Sequence, residues 1–119
     1  MPNLKLMKRL LLDENLPRKL KDLFSSEFDV TSVPDLGWQS KKNGELLSAM
    51  DAVRIEFLLT ADRNLRFQQN FEKHAVRIVV LRSFDNRLKT IAPNIAKIEG
   101  CISDSNAAEK IIEIDLRNS

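Results

Sequence analysis

A chain of 119 residues, 43% of them hydrophobic and 30% charged, has the size and apolar content of one ordinary folded domain, residues 1–119. Its net charge of +2 gives no bulk signature of a nucleic-acid binder, its single Cys101 excludes an internal disulfide or a Cys-rich zinc site, and its single His74 excludes paired-histidine metal sites and most Ser-His-Asp schemes. No apolar run is long enough to span a membrane and the first residues lack the apolar segment of a secretory signal, so a cytoplasmic protein without a membrane partner is expected.

Leu10, Leu11 and Leu12 form a continuous apolar run that stops at Asp13-Glu14, the pattern of a strand buried on both faces. Pro17 follows where a first helical turn begins, and Leu16, Leu20, Leu23 and Phe24 recur at helical spacing. Residues 28–33 alternate weakly and are closed by Pro34, which predicts a second short strand, with Asp35-Leu36-Gly37-Trp38 as the loop after it. A helix capped by Asn43 then presents Leu46, Leu47, Met50 and Val53 or Ile55.

Residues 55–61 read as a third strand ending at Asp62, and Leu65, Phe67 or Phe71, Gln68 and Gln69 as a short helix. Residues 78–81 are a fourth, strongly apolar strand. Leu88, Ile91, Ile95 and Ile98 make a further helical stripe, interrupted or restarted at Pro93 and stopped at Gly100. Ile112, Ile114 and Leu116 alternate with Glu113 and Asp115, as in a half-exposed edge strand. Strands alternating with helices imply a parallel sheet covered on both faces and joined by right-handed crossovers.

Two strands therefore end in an acid. In open α/β sheets ligands bind just past the carboxyl ends of the strands, so Asp13 and Asp62 are candidates to meet there, and a bound Mg²⁺ or Mn²⁺ is the usual reason that converging carboxylates are tolerated. Each also precedes a predicted helix, where an acid serves equally as a cap. Glu45 falls near the start of a helix on the same edge, as a third ligand or as a partner of the helix dipole, and Asp35 is a loop acid there, a fourth ligand or a plain turn residue. Asn43 and Asn64 offer neutral oxygens for a ligand or simply cap. Gln68-Gln69-Asn70 offers amides to unpaired bases, or a polar turn. Trp38 beside Lys41 and Lys42 suits a base stacked over phosphate-binding lysines, or a ring packed on the core, and Arg87 in the loop after the fourth strand suits a phosphate. The cluster Lys5, Lys8, Arg9, Arg18, Lys19 and Lys21 is a basic flank for a phosphate-bearing polymer or a solvated face. Three glycines, Gly37, Gly44 and Gly100, make no phosphate-binding glycine loop.

Taken together, Leu10-Leu11-Leu12-Asp13-Glu14-Asn15-Leu16-Pro17, Asp35-Leu36-Gly37-Trp38, Lys42-Asn43-Gly44-Glu45-Leu46-Leu47, Thr60-Ala61-Asp62-Arg63-Asn64-Leu65 with Gln68-Gln69-Asn70, and Asn86-Arg87-Leu88 resemble the DUF5615 group of PIN-like proteins over roughly residues 8–98. The resemblance implies a three-layer α/β/α sandwich around a mainly parallel sheet of about five strands. It also implies a Mg²⁺- or Mn²⁺-dependent ribonuclease, of the kind that serves as the toxin of a toxin–antitoxin pair, so the expected partners are RNA, an antitoxin and a second copy of the chain. Carried over residue by residue, Asp13 is the first metal-binding acid and Asp62 the acid of the T-x-D motif. Glu45 joins them in catalysis and metal binding, Asp35 completes the metal set, and Asn43, Asn64, Lys42, Arg87 and Gln68 line the substrate. Asn43 and Asn64 stand where related sequences are commonly acidic, so a PIN-like module that binds RNA or a protein without cleaving is the alternative. A phosphorelay receiver has paired acids after strand one and an acid after strand three as well, but needs a lysine at the end of strand five, where this chain ends in Asp115-Leu116.

Overall fold

The computed structural model describes residues 7–64 and 71–117. Five strands, β1 (Lys8–Leu12), β2 (Phe28–Ser32), β3 (Phe57–Thr60), β4 (Arg77–Arg82) and β5 (Ile111–Asp115), form one sheet in the order β2-β1-β3-β4-β5. Every pairing is parallel, with Leu12 opposite Ser32 on one side and Leu59 on the other. The helices are α1 (Asn43–Ala52), α2 (Leu88–Ile91) and α3 (Ile95–Asp104), with short 3₁₀ helices at Arg18–Leu23, Phe71–Lys73 and Ala92–Asn94. The predicted helix around Leu65, Phe67 and Gln68 lies outside the described residues.

Strand periodicity sorts the core into two layers. Leu10, Leu12, Phe57, Leu59, Val79 and Leu81 point to one face, where Leu20, Ile91, Ile95, Ile98 and Ile102 cover them. Leu11, Leu58, Ile78 and Val80 point to the other and meet Leu46, Leu47 and Met50 of α1. The central strands are apolar on both sides because both sides are roofed, whereas β5 keeps Ile112 and Ile114 buried and Glu113 exposed, as an edge strand should. Among the described residues no helix is long and apolar enough to cross a membrane.

Three local expectations are corrected. The segment after Pro17 is a single stretch of 3₁₀ helix that buries Leu20 and leaves Leu23 exposed, so its apolar spacing does not extend into an α-helix. Lys42, not Asn43, is the N-cap of α1, and Glu45 accepts the Lys42 N–H through Oε1 at 3.2 Å. Gly100 does not stop α3, which runs on to Asp104: the burial of Ile102 draws the helix past it, and beyond its chain neighbours and its own helix backbone no atom lies within 4 Å of where a Cβ would sit. Pro93 does restart the helix, at the 3₁₀ turn between α2 and α3.

Candidate functional site

The order β2-β1-β3 makes the chain reverse direction across the sheet between β1 and β3, and in doubly wound sheets the crevice at that switch point is where ligands bind. Asp13 sits there, 2% exposed, one residue past β1, its N–H held by Leu59 O at 2.9 Å. Its Oδ2 accepts the hydroxyl of the buried Thr60 at 2.7 Å and its Oδ1 accepts the Glu14 N–H at 2.9 Å. The Thr60 hydroxyl accepts in turn from Asn15 Nδ2 at 3.3 Å and from the Asp62 N–H at 3.1 Å, while Asn15 Oδ1 accepts the Ala61 N–H at 3.3 Å. Asp62 Oδ1 receives the Asn64 N–H at 3.0 Å, closing the turn. One hydroxyl thus ties the carboxylate after β1 to the backbone of the turn that carries the acid after β3.

The other predicted residues are used differently. Asp35 is clamped by Lys21 Nζ at 2.7 Å and by the Arg18 guanidinium, both on the first 3₁₀ helix. The hydrogen bonds from Lys21, then Arg18, then Ser32 hold its carboxyl well below the usual carboxylate range. Glu45 is exposed and spends Oε1 on the helix cap. Asn43 is the first residue of α1, and Lys42 is exposed beside it. Arg87 is exposed at the N-cap of α2, with its N–H on Asp85 Oδ1 at 2.9 Å. Asn64 contributes its backbone to the Asp62 turn, and Gln68 lies outside the described residues. Trp38 packs against the α1 layer of the core with Lys41 Nζ 5.8 Å from its ring centroid, which is the packing alternative.

Sequence reasoning missed Phe84, which is 80% exposed in the loop past β4. A large apolar ring in so polar a loop was the available signal.

Because Asp35 is ionised through its two cations, its contribution to folding is complete above the unfolded carboxylate pKa of about 4 and is lost as pH falls below it. Asp35→Asn is therefore expected to lower the urea midpoint at neutral pH, and the gap from the parent protein should narrow progressively below about pH 4. A gap unchanged in acid would show that the clamp is not electrostatic.

Among the described residues no group of three or more His, Cys, Asp or Glu side chains forms a metal-holding cluster. The expected four-acid set is therefore not gathered. At the switch point stand Asp13, one residue past β1, and Asp62, two residues past β3, linked through Thr60; carboxylates are the side chains that commonly hold Mg²⁺, with water and substrate phosphates completing the shell. Compared with family models, with curated proteins and with solved structures, the chain finds no match.

Proposed function

We propose that this chain is a PIN-like metal-dependent ribonuclease, with Asp13 and Asp62 as the acids that hold Mg²⁺ or Mn²⁺. The observation that carries the reading is the placement of Asp13: a carboxylate 2% exposed at the switch point, which Thr60 and the Glu14 N–H hold in one orientation. When bound, the ion supplies a water of lowered pKa and offsets charge on the scissile phosphate. Asp13 and Asp62 hold it, with the Thr60 hydroxyl fixing the first and anchoring the turn of the second. Lys42 and Arg87, both exposed at helix N-termini, attract the RNA backbone, and Phe84 offers a face for an unpaired base. The toxin role and an antitoxin partner extend the same reading.

A second reading has support of its own. Asp35 and Glu45 are engaged elsewhere and the positions of Asn43 and Asn64 carry no charge, which favours a module that binds RNA without cleaving it. Calorimetric titration with Mn²⁺, together with incubation of labelled single-stranded RNA with and without chelator, separates the two. Metal binding with chelator-sensitive cleavage supports the nuclease; RNA binding with neither supports the module. The strand order is also that of phosphorelay receivers. Here, though, the residue after Leu116 is Arg117, folded back on Asp115 through Nε at 3.0 Å and Nη2 at 2.9 Å, which leaves the lysine role of a receiver unfilled.

A further inference from the structure

Away from the switch point, a groove of about 700 Å³ runs along the outer side of α1 and is lined by Lys41, Glu45, Ser48, Lys73 and His74. His74 Nδ1 meets Asp51 Oδ2 at 2.7 Å, and Asp51 Oδ1 accepts the Ala75 N–H at 3.1 Å, so the ring is held from one side. Nδ1 is thereby occupied, so any further hydrogen bond of the ring goes through Nε2. Lys110 Nζ donates to the His74 carbonyl at 2.8 Å and fixes the backbone as well. Among the lining charges Lys41 and Lys73 outnumber Glu45, whose Oε1 is engaged by the Lys42 N–H.

We propose that this groove is a binding site for phosphate groups, with Lys41 and Lys73 supplying charge and His74 and Ser48 supplying hydrogen bonds. Two lysines flanking an oriented imidazole match a chain of closely spaced anionic oxygens better than a lone carboxylate. A Lys ammonium acts on phosphate as a point charge, and an imidazole N–H and a serine hydroxyl can each donate a hydrogen bond to its oxygens. The ligand is the phosphate chemistry common to a nucleic-acid backbone and to a free diphosphate. The proposal stands apart from the role of Asp13 and Asp62.

The test is calorimetric titration with inorganic pyrophosphate and, in a second arm, with a short oligouridylate, both without divalent metal. Lys41 lies over the ring of Trp38, the chain's single tryptophan, so the fluorescence of Trp38 gives a parallel readout. Binding is expected in at least one arm. Lys73→Glu and Lys41→Glu, both on the surface, should each weaken it by about tenfold, and added salt should weaken it further. Asp13→Asn should bind as the parent does, so failure of the nuclease reading is distinguishable from failure of this one. Tighter binding of the oligonucleotide identifies a strand as the ligand, and binding of pyrophosphate alone identifies a free diphosphate. No heat at millimolar ligand in either arm, or binding that both lysine variants leave intact, overturns the proposal.

Discussion

On the proposed nuclease reading, Asp13→Asn is expected to reduce metal-dependent RNA cleavage to background while leaving a folded protein. The substitution keeps the side chain's shape and one acceptor oxygen but replaces the other oxygen by an NH₂ donor. At Asp13 that donor would face the Thr60 hydroxyl, which already accepts from Asn15 and from the Asp62 N–H. A mismatched buried donor costs about 1–3 kcal/mol, a loss that urea denaturation can measure and a domain of this size can absorb. Thr60→Val is the informative partner. It leaves the Asp13 charge in place but removes the hydrogen bond at 2.7 Å, and it takes the Thr60 Oγ1 acceptor from the Asp62 N–H. Cleavage should then fall in part and recover as Mn²⁺ is raised, because the ligand remains while its orientation is lost. Asp13→Asn should not recover at any metal concentration. Parent-level cleavage by Asp13→Asn would remove Asp13 from the site altogether.

These two residues illustrate what was readable in the chain. Leu10, Leu11 and Leu12 announce a doubly covered strand by composition alone, and Asp13 follows as a strand-end acid. The polarity switch of Ile112, Glu113 and Ile114 likewise marks an edge strand, and β5 is one. The order of the strands is not written locally, since it depends on which faces the helices cover. The use of each acid is less legible still. Asp35 is claimed by Arg18 and Lys21, which lie 17 and 14 residues away in sequence and are delivered by a 3₁₀ helix that apolar spacing presents as a longer one. Glu45 was legible as a helix-start acid, and the structure gives it that role. Arg54 closes the turn after α1 at φ 60°, a left-handed conformation for which the sequence offers neither glycine nor asparagine as a cue. The placement of Asp13 past β1 and of Asp62 past β3 was thus legible, whereas the competition for the remaining acids depended on tertiary neighbours.

Arg77 gives the second large expected effect, on stability. It is a charged residue 8% exposed at the start of β4, and three hydrogen bonds hold it: Nε to Glu109 O at 2.8 Å, and Nη2 to Ser105 Oγ and Asn106 O at 2.7 Å each. Its guanidinium carbon lies 5.0 Å from the centroid of the Phe57 ring. All three partners belong to the segment leading from α3 to β5, so one side chain fastens the entry of the edge strand to its neighbour β4. Ser105 Oγ also donates to Ile102 O at 2.6 Å at the end of α3, where a neighbouring cation is favourable to the helix dipole. Arg77→Met retains much of the volume and removes the donors, leaving two backbone carbonyls without these partners. A loss of about 3–4 kcal/mol is expected, since hydrogen bonds to a charged donor contribute about 1.5–3 kcal/mol each before relaxation. In melting temperature this corresponds to a fall of about 10–15 °C. Arg77→Lys should recover only part of it, because a point-charge ammonium does not reproduce the planar fork that reaches Glu109 and Asn106 together. Hydrogen exchange discriminates the mechanism from general loosening: amides of β5 should lose protection ahead of those of β1 and β3, since the edge strand is the element the clamp retains. A melting temperature within about 3 °C of the parent, or uniform loss of protection across the sheet, would show that β5 is retained by its apolar face alone.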